Sequence, residues 1–233
     1  MSELDALLRD LLGPGVAFAW GAPGDTPVSA LHPLEAATVE RAVAKRQREV
    51  ASGRAAARRA LAALGYPEMA LPRGNGGQPL WPRGVVGSIT HTDTLTVAAV
   101  ALCSHRDGLG IDAEPDGPLE PDLWPAITTE EELAALRALP PHEAGAHARW
   151  IFCAKEAAYK CQYPSTGLLL DFGDLQIRWS GATPAAPGVR AFEAVYQRHA
   201  APFQRGDRIP GRSGRAAGHI LAAAWLGEPR TLE

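Results

Sequence analysis

The sequence predicts a mixed fold, α+β or α/β, in two similar-sized halves. Two long stretches, residues 34–64, rich in alanine, arginine and glutamate, and 147–162, read as helices. Short apolar runs at 97–102 and 109–113, bounded by turn residues, read as buried strands with hairpin-type neighbours. The segment 115–125 is irregular and suits a link between the halves, which we place at 1–114 and 115–233. A chain of 233 residues, 46% hydrophobic and 21% charged, can bury a sizeable core as one large domain or two packed small ones.

Along the chain, the first ten residues set Glu3, Asp5 and Asp10 among leucines. They lack the cationic start and long apolar run of a secretory signal, and nothing resembles a membrane span. Three cysteines, Cys103, Cys153 and Cys161, form no CxxC pair and fit free thiols in a reducing compartment. A cytoplasmic protein is expected. The helix at 34–64 is predicted with an interruption near Ser52-Gly53 and a stop at Gly65-Tyr66-Pro67. Turn chemistry fills 72–79, and β structure covers 85–102. Thr128 or Thr129, three residues before Glu131 or Glu132, makes a capping box for a helix to about residue 139. The helix at 147–162 is expected to stop before Pro164. Strands are predicted at 175–179, 192–196 and 219–226, with a loop at 205–218.

A net charge of −3 argues against a dedicated nucleic-acid binder. No Walker A loop, GxGxxG, GxSxG elbow or HExxH motif is present. On a strand at Gly110-Ile-Asp-Ala-Glu114, Asp112 and Glu114 project to one face, about 6–7 Å apart. Two such acids suit a hard cation that completes its shell with water and phosphate, or else form a solvated strand end. On the helix 150–161, Trp150, Cys153, Ala154, Ala157 and Cys161 form an apolar stripe, leaving Lys155, Glu156, Tyr159 and Lys160 largely off it. Glu156 and Lys160 stand four apart, the spacing of an ordinary helical ion pair. Arg41, Lys45, Arg46, Arg48, Arg54, Arg58 and Arg59 make either a solvated cationic face or an anion site. The glycine-rich turn at 73–77 could bring backbone N–H groups to a phosphate, and His91 lies among hydroxyls in Gly87-Ser-Ile-Thr-His-Thr92.

Taken in order, KRQRE with a following GR, PRGNGGQPLWP, GSITHT, GIDAE and FCAKEAAYK resemble the Sfp/EntD-like 4'-phosphopantetheinyl transferases, nearest the actinobacterial type. The resemblance covers about residues 40–180. It implies two α+β subdomains in a pseudo-twofold monomer, with coenzyme A in the cleft between them and apo acyl or peptidyl carrier proteins as partners. It implies Mg2+, or Mn2+, held by Asp112, Glu114 and Glu156. Lys155 and Lys160 match helix lysines at the coenzyme A phosphates or the reacting phosphoryl group. Arg46, Arg54, Thr90 and His91 match the nucleotide site, and Arg73, Gly74, Asn75 and Gly76 the turn lining adenine and the 3'-phosphate. Glu156 is the implied general base. Arg73 stands where relatives have lysine, and 163–170 lacks the basic residues and tryptophan that some relatives carry there. A rival on the same residues is a non-catalytic regulator that binds coenzyme A or carrier protein; another is a Mg2+-dependent phosphohydrolase.

Overall fold

The computed structural model describes residues 2–180 and 188–227. Helix α1 (Glu3–Leu12) opens with a reciprocal capping box, in which the Ser2 hydroxyl accepts from the Asp5 amide and the Asp5 carboxylate accepts from the Ser2 amide. Strand β1 (Val16–Gly21) follows, then the single turn α2 (Pro33–Ala36), helix α3 (Ala44–Ala63) and strands β2 (Val85–His91), β3 (Thr96–Leu102) and β4 (Gly108–Pro115). The linking segment carries α4 (Trp124–Ile127). After it come α5 (Glu130–Arg137), the long α6 (Pro141–Thr166), and strands β5 (Leu175–Trp179), β6 (Arg190–Tyr196), β7 (Arg208–Ala216) and β8 (His219–Leu226).

Every strand pairing among the described residues is antiparallel, so of the two classes open from sequence the fold is α+β. The strands form a three-stranded sheet, β1-β3-β2, and a five-stranded sheet, β4-β8-β7-β6-β5. Helix α3 lays Ala56, Ala57, Ala60 and Leu61 on Ala98 and Val100 of the first sheet. Helix α6 covers the second sheet with the predicted stripe, and Trp150, Cys153, Ala154, Ala157 and Cys161 are all buried. A third core joins the sheets: the leucines of α1 meet Val97 and Ala99 of β3, Leu109 and Ile111 of β4, and Leu221 of β8. Strand β4 falls within the expected first half, yet its hydrogen bonds go to β8, so the second sheet begins at Gly108 and a boundary at 114 would cut it.

Several boundaries differ from the sequence expectation, each for a packing reason. The break in the first long helix falls between α2 and α3, not at Ser52-Gly53. Gly53 is a contact point instead, since a Cβ there would lie 3.0 Å from the Ile89 side chain. Helix α6 runs through Pro164 to Thr166 and ends at Gly167, whose φ of 65° and ψ of 7° make a left-handed cap. Pro164 gives up the hydrogen bond to the Lys160 carbonyl, and the helix ends within one further turn. The stretch expected to be a loop at 205–218 contains β7. Its glycines mimic loop chemistry but serve close packing: a Cβ on Gly211 would sit 2.2 Å from the Phe192 ring. By contrast, α5 starts as expected at the Thr129–Glu132 capping box, and β8 spans the predicted 219–226.

Candidate active site

The end of β4, the middle of α6, the N-terminal half of α3 and the end of β2 face one another across a cleft of about 440 Å³. Its acidic wall is Asp112 and Glu114 from β4 and Glu156 from α6. Alternation along β4 sends both strand acids to this side, as the period of a strand requires. Close approach of helix to strand brings Glu156 within reach. That approach depends on Gly110, where a Cβ would lie 2.0 Å from the Ala157 carbonyl oxygen.

Asp112 is 4% exposed. Its Oδ1 accepts from Lys160 Nζ at 2.6 Å and from the Thr90 hydroxyl at 2.9 Å. Lys160 therefore reaches across to the strand in place of the expected pairing with Glu156 on its own helix. Burial disfavours the Lys160 ammonium, but Asp112 outweighs it and the pKa is raised. Glu156 and Glu114 are both pushed up, first by burial. Repulsion from Asp112 adds to both, Lys160 opposes it at Glu156, and Arg149, bonded to Glu114 at 2.8 Å, opposes it at Glu114.

The basic wall is Arg46, Arg54, Arg73 and His91. The arginine run from sequence divides here by partner. Arg46 and Arg54 line the cleft, whereas Arg58 is paired with Glu35 at 2.8 Å and Arg59 bonds the Trp20 carbonyl. Arg54 is held by a bond from its Nε to the Leu71 carbonyl at 2.8 Å. Burial lowers the pKa of His91, which keeps the ring neutral near pH 7. The glycine turn contributes in part: Arg73 and Gly77 line the cleft, Gly76 lines an adjoining pocket, and Gly74 and Asn75 line neither.

Two expectations need correction. Lys155 is not a cleft cation: it is 1% exposed, donating at 2.6 Å to Glu132 and at 2.8 Å to the Phe172 carbonyl. One residue along a helix rotates a side chain by about 100°, so neighbours in KEA face different ways. Nor are the three acids gathered as a ready metal cage, since among the described residues no cluster of three or more His, Cys, Asp or Glu is arranged to hold an ion. Glu114 is turned to Arg149 and Asp112 to Lys160. Two cleft-side residues were missed. Glu49 was legible within KRQRE, three residues after Arg46 and so on the same helical face. Arg149 had no sequence signal beyond standing immediately before Trp150, the first residue of the apolar stripe. Cys153 and Cys161 are buried thiols whose pKa is driven up by desolvation, which makes them poor nucleophiles.

Comparison with known proteins identifies the family. A family model described as the 4'-phosphopantetheinyl transferase N-terminal domain matches residues 34–101. A second, the 4'-phosphopantetheinyl transferase superfamily, matches 108–208 and so takes in both acid-bearing elements. The chain is 42% identical over 204 residues to the 4'-phosphopantetheinyl transferase Svp of Streptomyces mobaraensis, covering 87% of this chain and 80% of that one. It is 40% identical over 147 residues to Npt of Nocardia iowensis, covering 63% and 65%. It is also 40% identical over 158 residues to PptT of Mycobacterium tuberculosis, covering 66% of each. Both carry the same enzyme name.

Proposed function

The chain belongs to the 4'-phosphopantetheinyl transferase superfamily, and on that premise we propose that this cleft binds coenzyme A and moves its phosphopantetheine arm onto a carrier-protein serine. The observation that carries the reading is the meeting of Asp112, Glu114 and Glu156 with Lys160, Arg46, Arg54 and His91 in one cleft. A pyrophosphate with a 3'-phosphate needs several fixed cations, and the basic wall supplies them. The relatives are all named as transferases, which does not favour a non-catalytic binder.

A divalent cation, Mg2+ or Mn2+, fits the acidic wall on an observation independent of the family. Asp112 Oδ2 is buried and has no hydrogen-bond partner among the described residues, a free acceptor beside two carboxylates whose charge is resisted by burial. Asp112, Glu114 and Glu156 would hold the ion, with Glu114 released from Arg149. When bound, the ion supplies charge neutralisation for the pyrophosphate oxygens.

The chain's own residues do the rest. Arg46, Arg54 and Arg73 hold and orient the nucleotide phosphates through guanidinium forks. Lys160, kept charged by Asp112, sits where negative charge grows as the phosphorus–oxygen bond to 3',5'-ADP breaks. Glu156 takes the proton from the attacking serine hydroxyl as general base. We place the protein in the cytoplasm as a monomer, acting on acyl or peptidyl carrier proteins of fatty-acid, polyketide, nonribosomal-peptide or siderophore assembly. Among the described residues no helix is long and apolar enough to cross a membrane.

Intact-mass spectrometry of a panel of apo carrier proteins, incubated with the protein, coenzyme A and Mg2+, tests the reading. A gain of about 340 Da, the mass of the arm, is expected on at least one carrier. Asp112→Ala is expected to abolish that gain while circular dichroism stays native. Wild-type turnover in this variant would remove Asp112 from the site.

A further inference from the structure

One acid in the cleft has no part in that scheme. Glu49 on α3 shares the wall of Arg46, Arg54 and His91, with its side chain only 12% exposed. It accepts from Arg46 Nη1 at 3.1 Å. The same Nη1 lies 2.9 Å from His91 Nε2. A guanidinium offers no acceptor, so Nε2 must accept, and the ring is neutral with its proton on Nδ1. Glu49 Oε2 stands 3.6 Å from that same nitrogen. One carboxylate oxygen thus faces Arg46 and His91 together, where the nucleotide reading calls for a phosphate oxygen.

We propose that Glu49 is a resident counter-anion for Arg46 and His91, and that an arriving phosphate displaces it and draws one proton onto His91 Nε2. This rests on the coenzyme A reading above. The reason is acceptor conflict: a phosphate oxygen and an unprotonated Nε2 are both acceptors, so they can bond only once the nitrogen carries a proton. Solvent or buffer supplies it, and no covalent bond changes. The groups facing the ring set the balance. Arg46 from α3 and Lys160 from α6 disfavour charge on it, as does burial; Glu49 from α3 and Asp112 from β4 favour it. Asp93, in the turn after β2 and paired with Lys45 at 2.6 Å, adds a further weak attraction. A phosphate brings up to two more negative charges to this ring and reverses the sum.

Calorimetric titration of the full-length protein with coenzyme A, at pH 7.5 and without added metal, reads both halves of the proposal. Repeating it in buffers of different ionisation enthalpy counts the protons taken up on binding. Wild type is expected to take up roughly one proton more than His91→Gln. Equal proton counts would overturn the protonation step. Glu49→Gln keeps a side-chain acceptor for Arg46 but removes the competing charge, and is expected to bind coenzyme A about tenfold more tightly at low salt. A purely structural Glu49 predicts no gain, so an unchanged or weaker affinity would overturn the counter-anion. Failure of folded wild-type protein to bind coenzyme A at all would overturn the nucleotide reading and this proposal together. Binding without differential proton uptake overturns the protonation step while leaving that reading standing.

Discussion

Glu156 is held in the cleft at the expense of stability. Burial raises its pKa first of all, Lys160 opposes the rise and Asp112 adds to it. A carboxyl whose native pKa lies above its unfolded value binds protons more readily when folded, so its ionisation works against folding. That penalty is absent below the unfolded pKa, about 4.3, and complete once pH exceeds the native value. Glu156→Gln removes it. The variant is expected to melt roughly 2–4 °C above wild type at neutral pH, with the difference shrinking to zero near pH 4. Thermal scans across that range check this, and a variant less stable than wild type at pH 7 would contradict it. Transfer should be lost in the same variant, the signature of a residue retained for chemistry. Lys155, next to it, shows the opposite case. Its ammonium and the Glu132 carboxylate are both buried, and Glu132 also accepts from the amides of Ile177 and Thr129. Removing one partner strands the other. Lys155→Ala is expected to cost about 3–5 kcal/mol in urea unfolding, with KM for coenzyme A unchanged in the folded fraction. Retained stability with a raised KM would return Lys155 to the cleft.

At the scale of elements, the site exists because α6 lies almost on the backbone of β4. Gly110 permits this: a methyl there would meet the Ala157 oxygen at 2.0 Å and the Cys161 nitrogen at 2.5 Å, both backbone atoms that cannot step aside. Gly110→Ala must push helix from strand, separating Glu156 from Asp112. We expect a loss of more than about 3 kcal/mol of stability and no transfer, even in protein rescued by low temperature. Native stability by chemical denaturation would show that the contact yields. The same glycine marks what sequence could reveal. Alternation and helical stripes showed which side chains of GIDAE and FCAKEAAYK leave the core, while only the family resemblance implied that the two segments meet. Sequence did not reveal that Lys160 would cross to Asp112, since that distance is set by the helix–strand gap and not by spacing within either element. Strand β7 was hidden for a related reason: Gly211 and Gly214 look like turn formers until Phe192 and Leu7 are seen pressing against them. Helix α1 was legible in principle: Ser2 and Asp5 carry its capping box, and Leu4, Leu7, Leu8, Leu11 and Leu12 fall at helical spacing.

Across the whole molecule, the two sheets share one core through α1. Leu4, Leu7, Leu8, Leu11 and Leu12 of α1 pack on strands of both. Arg212 of β7 bonds the Asp10 carbonyl near the end of that helix at 2.8 Å, where a cation is favoured by the helix dipole. Burial of five leucines at about 1.5–3 kcal/mol each is comparable to the entire net stability of an ordinary domain. Deleting residues 1–13 should therefore unfold both sheets, not merely fray one. Two sets of indoles can report on this. Trp20 is on β1, with its Nε1 bonded to Asp5 at 2.9 Å, while Trp150 and Trp179 belong to the core of the second sheet. In wild type, single-tryptophan variants keeping one or the other should show coincident melting curves. After the deletion neither reporter should show a cooperative transition above room temperature. A persistent transition at Trp150 alone would mean that the five-stranded sheet and α6 stand without α1, and that the shared core merely joins two finished halves.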